Sequence, residues 1–389
     1  MSDDPLPELQ GRTPLMAAHT PNLDRMVLEG IGGWSRNTPA GFYPGSDVAN
    51  LGVLGYDVRT GYTGRSPLEA AAMGVELQAT DVAFRCNFVT LAGENPAVMK
   101  DFSAGQISTS EGAELIAHLN QHLQSEQFCF YPGVGYRHLL VWHRGGVDLT
   151  CVAPHDITDR VVTDHLPQGP DSASILELML KSRLLLTEHP INRKRREQNH
   201  EPANSIWLWG HGRKPNLPLF QERFSKTGGV ISAVDLMRGI ARHIGFKVHP
   251  VVGATGWIDT NYQGKAQACL AGLQEHDLMF IHVESPDEAG HAGRLDFKLQ
   301  AIEDFDAKVV GPVLDTLRQS HTPFRAIALP DHPTPLAIKT HNANPVPFAL
   351  CGTDIQPDHN TAYNEHLLQS GSLFFDPGYL MMNFFLGKQ

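Results

Sequence analysis

From Ser205 to Leu329 the chain alternates short apolar runs with segments whose apolar residues recur at helical spacing. Ser205–Trp209, Phe246–Val252, Leu278–Val283 and Phe324–Leu329 read as strands. Ile231–Ile244, Ala266–Leu273 and Leu299–Leu317 read as helices lying between them. This order predicts an α/β fold, a mostly parallel sheet with helices on both faces. Ligands in such sheets gather at the carboxyl ends of the strands. Two clusters stand at such ends: Asp287-Glu288-Ala289-Gly290-His291 and Asp331-His332, the latter followed by His341.

The segment from 81 to 203 has another texture. It carries strand-like runs at Phe84–Leu91 and His138–His143, a helix near Ala113–Leu119, and a basic polar stretch at Asn192–Asn204. It is predicted to be an inserted α+β domain, so the core is discontinuous, 1–80 and 204–389. A net charge of −11 argues against general nucleic-acid binding. No apolar run reaches the ~18 residues of a membrane span. The acidic, proline-containing opening does not read as a signal peptide. The five cysteines are scattered without a CxxC, which disfavours a disulfide framework and favours a reducing cytoplasm.

Carboxylates and imidazoles in these clusters suit divalent transition metals, and two such ions side by side suit phosphoryl chemistry. Asp287 and His291, four residues apart, share one side of a helical turn. A capping Asp with a solvent His has the same spacing. Asp331 and His332 follow the apolar run Ala326–Leu329 and Pro330, where an ordinary polar loop is the alternative. His341 gains meaning only beside the other two clusters. Ser46 follows Gly45 and opens a short helix. It fits either a metal-activated nucleophile or a helix N-cap. Arg65, Arg85, Arg137 with His138, and His155-Asp156 are candidate binders of phosphate and carboxylate. Each is equally readable as surface charge.

Taken together these stretches resemble the archaeal-type cofactor-independent phosphoglycerate mutases of the alkaline phosphatase superfamily. The matching motifs include Pro44-Gly45-Ser46-Asp47-Val48-Ala49-Asn50, Arg85-Cys86-Asn87, Tyr136-Arg137-His138 and Pro154-His155-Asp156. They continue with Trp207-Leu208-Trp209-Gly210, Pro286-Asp287-Glu288-Ala289-Gly290-His291, Pro330-Asp331-His332-Pro333-Thr334-Pro335 and His341. The resemblance spans essentially the whole chain. It implies an alkaline phosphatase-like core with an inserted substrate domain. It also implies interconversion of 3-phosphoglycerate and 2-phosphoglycerate through a phosphoserine at Ser46, without 2,3-bisphosphoglycerate. One metal would take Asp287, His291 and His341; the other would take Asp331, His332 and Ser46. Manganese is the ion implied first, with magnesium, zinc or cobalt as substitutes. Arg85, Arg137 and His155 or Asp156 would hold the phosphate and glycerate.

Two alternatives accompany this reading. One is a homoserine kinase of the same sequence type. The other is a catalytically impaired homologue, because the family pattern opens with an apolar strand ending in Asp-Gly, whose Asp ligates the second metal. Here Met1-Ser2-Asp3 stands where the following Met-x-Asp belongs. The expectation is a start assigned at an internal Met, the alternative a chain that lacks the strand. The partner implied is a small phosphorylated metabolite, and the sequence does not specify an oligomeric state.

Overall fold

The computed structural model describes residues 1–93 and 96–388. Its strands in chain order are β1 (Ile31–Ser35), β2 (Val82–Ala92), β3 (Val98–Asp101), β4 (Phe128–Tyr131), β5 (Arg137–Trp142) and β6 (Ser205–Arg213), then β7 (Gly228–Ile231), β8 (Lys247–Val248), β9 (Leu278–Ile281), β10 (Arg325–Ala328), β11 (Val346–Gly352) and β12 (Leu373–Phe375). The chain divides into two units, one of residues 1–62 and 217–389, the other of 63–216. No helix among the described residues is long and apolar enough to cross a membrane.

In the unit 63–216, β2 is the centre of an antiparallel sheet, paired with β3, β5 and β6. Alternation along β2 sends successive side chains to opposite faces. Phe84, Cys86 and Phe88 join Leu115, Ile116, Leu119 and Ile175 of the helices Thr109–Leu123 and Ser172–Thr187 in the main core. On the other face Ala83 packs with Leu139, Val141 and Ala70 of the helix Ser66–Ala72. The boundaries therefore fall outside those expected from texture, 81 and 203. Ser205–Trp209 is not the first strand of the core sheet. It is part of β6, antiparallel to β2, because Ile206 and Leu208 complete the apolar face begun by Phe84 and Phe88.

The other unit holds a four-stranded sheet in the order β10-β11-β1-β12 and a three-stranded sheet in the order β8-β7-β9. The pairs β7–β8, β7–β9 and β1–β12 are parallel. The pairs β1–β11 and β10–β11 are antiparallel, so the sheet is mixed where a mostly parallel one was expected. A parallel connection needs a crossover, usually helical. The stretch from β10 to β11 contains no helix; it is the loop carrying Asp331, His332 and His341. The expected single helix Leu299–Leu317 is Leu295–Phe305 and Gly311–Gln319, joined by a π turn at Asp306–Val310. That turn directs the buried Asp306 carboxylate to the backbone of Leu23, 2.7 Å away, and to the Asn22 amide at 2.8 Å.

β9 and β10 are edge strands, and both line one cavity of about 1080 Å³ with Met1, Met26, Leu314 and Met382. Phe280, Ile281, Ala326 and Ile327 are only half-buried as a result. The Met1 ammonium is held at one side of this cavity, and burial pushes its pKa down to about 6.

Candidate metal centre

The ligand set begins on the short helix Ser285–His291, with Pro286 at its first turn. The i, i+4 spacing brings His291 Nε2 to 3.1 Å from Asp287 Oδ2. His341 arrives from the loop before β11, its Nε2 2.9 Å from His291 Nε2 and 3.4 Å from Asp287 Oδ1. One donor atom from each of the three lies within 4.8 Å of the others. His291 Nδ1 donates to the Lys339 carbonyl at 2.9 Å, which turns Nε2 toward Asp287 and His341. Gly290 allows the helix to approach the following loop, since a β-carbon there would stand 2.6 Å from the Thr334 carbonyl oxygen. Thr334 uses the approach to donate its hydroxyl to Asp287.

The second set forms around His332. Its Nε2 lies 3.0 Å from Ser46 Oγ and 3.3 Å from Asp331 Oδ2. Ser46 is the first residue of the helix Ser46–Val53, whose N-cap is Gly45. Its hydroxyl thus points to His332 rather than capping the helix. The His332 and His341 rings are 3.8 Å apart, so the two sets adjoin.

The electrostatics suit cations. Burial raises the Asp287 carboxyl, but hydrogen bonds from His291 and His341 outweigh it and hold the group well below the usual range. His291 is raised to about 9 by its bond to Asp287, against the opposing effect of burial. His332 is lowered by burial, which Asp331 only partly offsets. Two imidazole nitrogens 2.9 Å apart repel unless a proton or cation lies between them. The convergent carboxylates, imidazoles and hydroxyl therefore fit divalent transition ions.

Four supporting residues carried no assigned role in the sequence reading. Asn50 donates to Asp331 Oδ2 and to the Ser46 carbonyl, each at 2.8 Å. Its signal was the four-residue spacing from Ser46. Asn37 donates to the Asp331 carbonyl at 2.8 Å. Thr334 holds Asp287, and the buried His282 bridges Ser232 and Glu284, each 3.1 Å away. Nothing local in sequence marks Asn37 or His282, because their partners are remote along the chain. Asp3 is not among the cluster's donors. It is buried against Lys298, Oδ2 to Nζ 2.6 Å, while Asp4 is exposed.

In the other unit, Arg85 donates to Glu69 at 2.9 Å and lies 4.6 Å over the Trp209 ring. Burial pushes its pKa down to about 10 despite Glu69. Arg65 binds the same Glu69 oxygen at 2.9 Å. Arg137 is opposite Asn87 in the β2–β5 register, on the sheet face that carries Arg85. His155 packs edge-on to Trp209 at 5.4 Å, and its Nε2 is 3.7 Å from Asp156. His138 does not belong with these cations. It is opposite Cys86, on the core face, edge-on to Phe88 at 4.7 Å, and accepts from the Gly133 amide at 3.0 Å.

A Geobacter sulfurreducens protein named "Probable 2,3-bisphosphoglycerate-independent phosphoglycerate mutase" is 52% identical over 390 residues, spanning 100% of this chain and 98% of the relative. A Methanosarcina mazei protein named as the same mutase is 47% identical over 375 residues, 96% of this chain and 94% of the relative. The chain belongs to the 2,3-bisphosphoglycerate-independent phosphoglycerate mutases of archaeal type. The family's mutases are isomerases. A family model with that description matches residues 28–192. A solved Pyrococcus horikoshii structure is 27% identical with a TM-score of 0.82, covering 100% of this chain and 95% of that one. The structure of a cofactor-independent phosphoglycerate mutase from Thermoplasma acidophilum shares the mixed α/β fold, with a TM-score of 0.65 at 24% identity, covering 100% of this chain and 96% of that one.

Proposed function

We propose that the chain interconverts 3-phosphoglycerate and 2-phosphoglycerate by passing the phosphoryl group through Ser46. The observation that carries this is the position of Ser46 Oγ, 3.0 Å from His332 Nε2 at the start of a helix and beside the Asp287–His291–His341 set. The unit holding these residues reads as an alkaline phosphatase-like core. Asp287, His291 and His341 would hold one divalent ion, and Asp331, His332 and Ser46 another, manganese foremost. Such ions lower the pKa of a coordinated hydroxyl and offset charge on the phosphoryl oxygens.

The chain's own residues define the rest. Asn50 and the helix register aim Ser46 Oγ, which forms a bond to phosphorus as the substrate's ester oxygen leaves. The glycerate stays bound, and its other hydroxyl oxygen then takes the phosphoryl group as Ser46 departs. Retaining glycerate and excluding water separates a mutase from a phosphatase. Arg85 and Arg137 are proposed to bind the substrate's anionic groups, with His155, Asp156 and Arg65 alongside. His138, facing the core, is left out of that set.

The test is direct. The protein should interconvert the two phosphoglycerates without ATP or 2,3-bisphosphoglycerate, and a quenched turnover should show phosphate on Ser46 by peptide mass. Ser46→Ala should abolish both while still binding metal. Full turnover by Ser46→Ala, or ATP-dependent phosphorylation of homoserine in place of isomerisation, would overturn the proposal.

A further inference from the structure

A second group of metal-binding side chains lies apart from the residues described so far, at the edge strand β8. His249 follows β8, His276 precedes β9, and Met279 lies in β9. The two imidazole rings are 5.3 Å apart and nearly perpendicular, at 84°. Both Nε2 atoms are shut off from solvent, and neither has a hydrogen-bond partner in the protein. Buried polar atoms are nearly always paired, and an orphaned nitrogen is a pointer to a bound ion or ordered water. Here two occur on adjacent rings.

His249 Nε2 and Met279 Sδ both pack against Gly229 of β7. A β-carbon at that position would stand 2.8 Å from His249 Nε2 and 2.7 Å from Met279 Sδ. The absence of a side chain there lets the imidazole nitrogen and the thioether sulfur both approach β7. A carboxylate completes the surroundings: Glu275 Oε2 is 4.0 Å from His276 Nε2 and is now held by Lys247 at 2.5 Å. Burial, His276 and Lys247 lower the pKa of His249, so its ring is neutral at physiological pH. The only donor set of His, Cys, Asp and Glu already closed to within 4.8 Å among the described residues is Asp287–His291–His341. Closing this second set requires rotation of the Glu275 side chain and of the imidazole rings.

We propose that His249, His276 and Met279, with Glu275 recruited from Lys247, bind one borderline-soft transition-metal ion. Imidazole and thioether donors select zinc, copper or cobalt over magnesium and calcium. The bound ion ties the two-residue edge strand β8 and the turn before β9 to β7. It is a structural clip, separate from the residues assigned to phosphoryl transfer.

The experiment uses the full chain carrying Asp287→Ala, His291→Ala, Asp331→Ala and His332→Ala, which removes both donor sets assigned to phosphoryl transfer. Zinc is titrated calorimetrically into the metal-stripped protein, alongside magnesium. One equivalent of zinc and no magnesium should bind. Binding should weaken at least tenfold in Met279→Leu and in His249→Gln. With zinc present, mass-mapped diethylpyrocarbonate labelling of His249 and His276 in the otherwise unaltered protein should fall. That second measurement does not depend on any variant folding. Zinc affinity unchanged in Met279→Leu and His249→Gln, or labelling unchanged by zinc, would overturn the proposal and leave ordered water as the partner of both nitrogens.

Discussion

Replacing Asp3 by alanine should cost the unit of residues 1–62 and 217–389 about 3–5 kcal/mol. Asp3 and Lys298 form an ion pair at 2.6 Å with both side chains at 0% exposure. Lys298 Nζ also donates to the Thr334 carbonyl at 2.8 Å, and Asp3 Oδ2 accepts from the Leu336 amide at 3.1 Å. Removing the carboxylate strands a buried ammonium and an amide. The large cost of breaking such a pair comes from that uncompensated charge. Burial already lowers the pKa of Lys298 and Asp3 opposes this, so the variant's lysine should fall further below its ordinary 10.5. The unfolded chain then binds more protons than the folded one between the two values. The variant should therefore regain stability as pH rises toward about 10. Equilibrium urea unfolding, with the transition of the unit containing Trp34 and Trp257 fitted on its own, measures the loss. Lys298→Met added to Asp3→Ala should restore most of it, because the orphaned charge is gone. A loss under about 1 kcal/mol for Asp3→Ala, or no recovery in the double variant, would refute the reasoning.

Asn50→Ala should leave the fold intact yet lower mutase turnover about 10–100-fold, as loss of a residue that orients a metal-binding carboxylate does; steady-state kinetics across manganese concentrations checks this. His138 is held neutral by burial, its pKa pushed down to about 3 from an ordinary 6.5. Between those values the unfolded chain binds the extra proton, so stability falls as pH drops from about 6.5, by ~1.4 kcal/mol per unit. Unfolding of the unit 63–216 at several pH values should show this slope, and His138→Gln should flatten it.

Much of the unit of residues 1–62 and 217–389 was legible because its signals are local. The Asp287–His291 pair follows from helical spacing, and Asp331-His332 from a strand that stops at Pro330. The strand-helix rhythm located β9 and β10 to within a few residues. The assignment of β6 was not legible. An apolar run pairs equally well with any apolar face, and only the packing of Ile206 and Leu208 against Phe84 and Phe88 decides which. His138 illustrates the same limit within two residues. Its neighbour Arg137 suggested a shared role, while strand alternation sends the two side chains to opposite faces.

The sequence alone determined which chemistry was on offer: carboxylates and imidazoles at strand ends, a serine opening a helix, arginines on a separate segment. Residue type and short-range geometry suffice for that. The tertiary structure decided which of these groups meet. It placed Ser46 against His332, across 286 positions of chain, and closed His341 onto a helix 50 positions earlier. It also directed Asp3 to Lys298 rather than to the Asp287–His291–His341 cluster. Contacts over such separations depend on the packing of the whole unit, which no local spacing encodes.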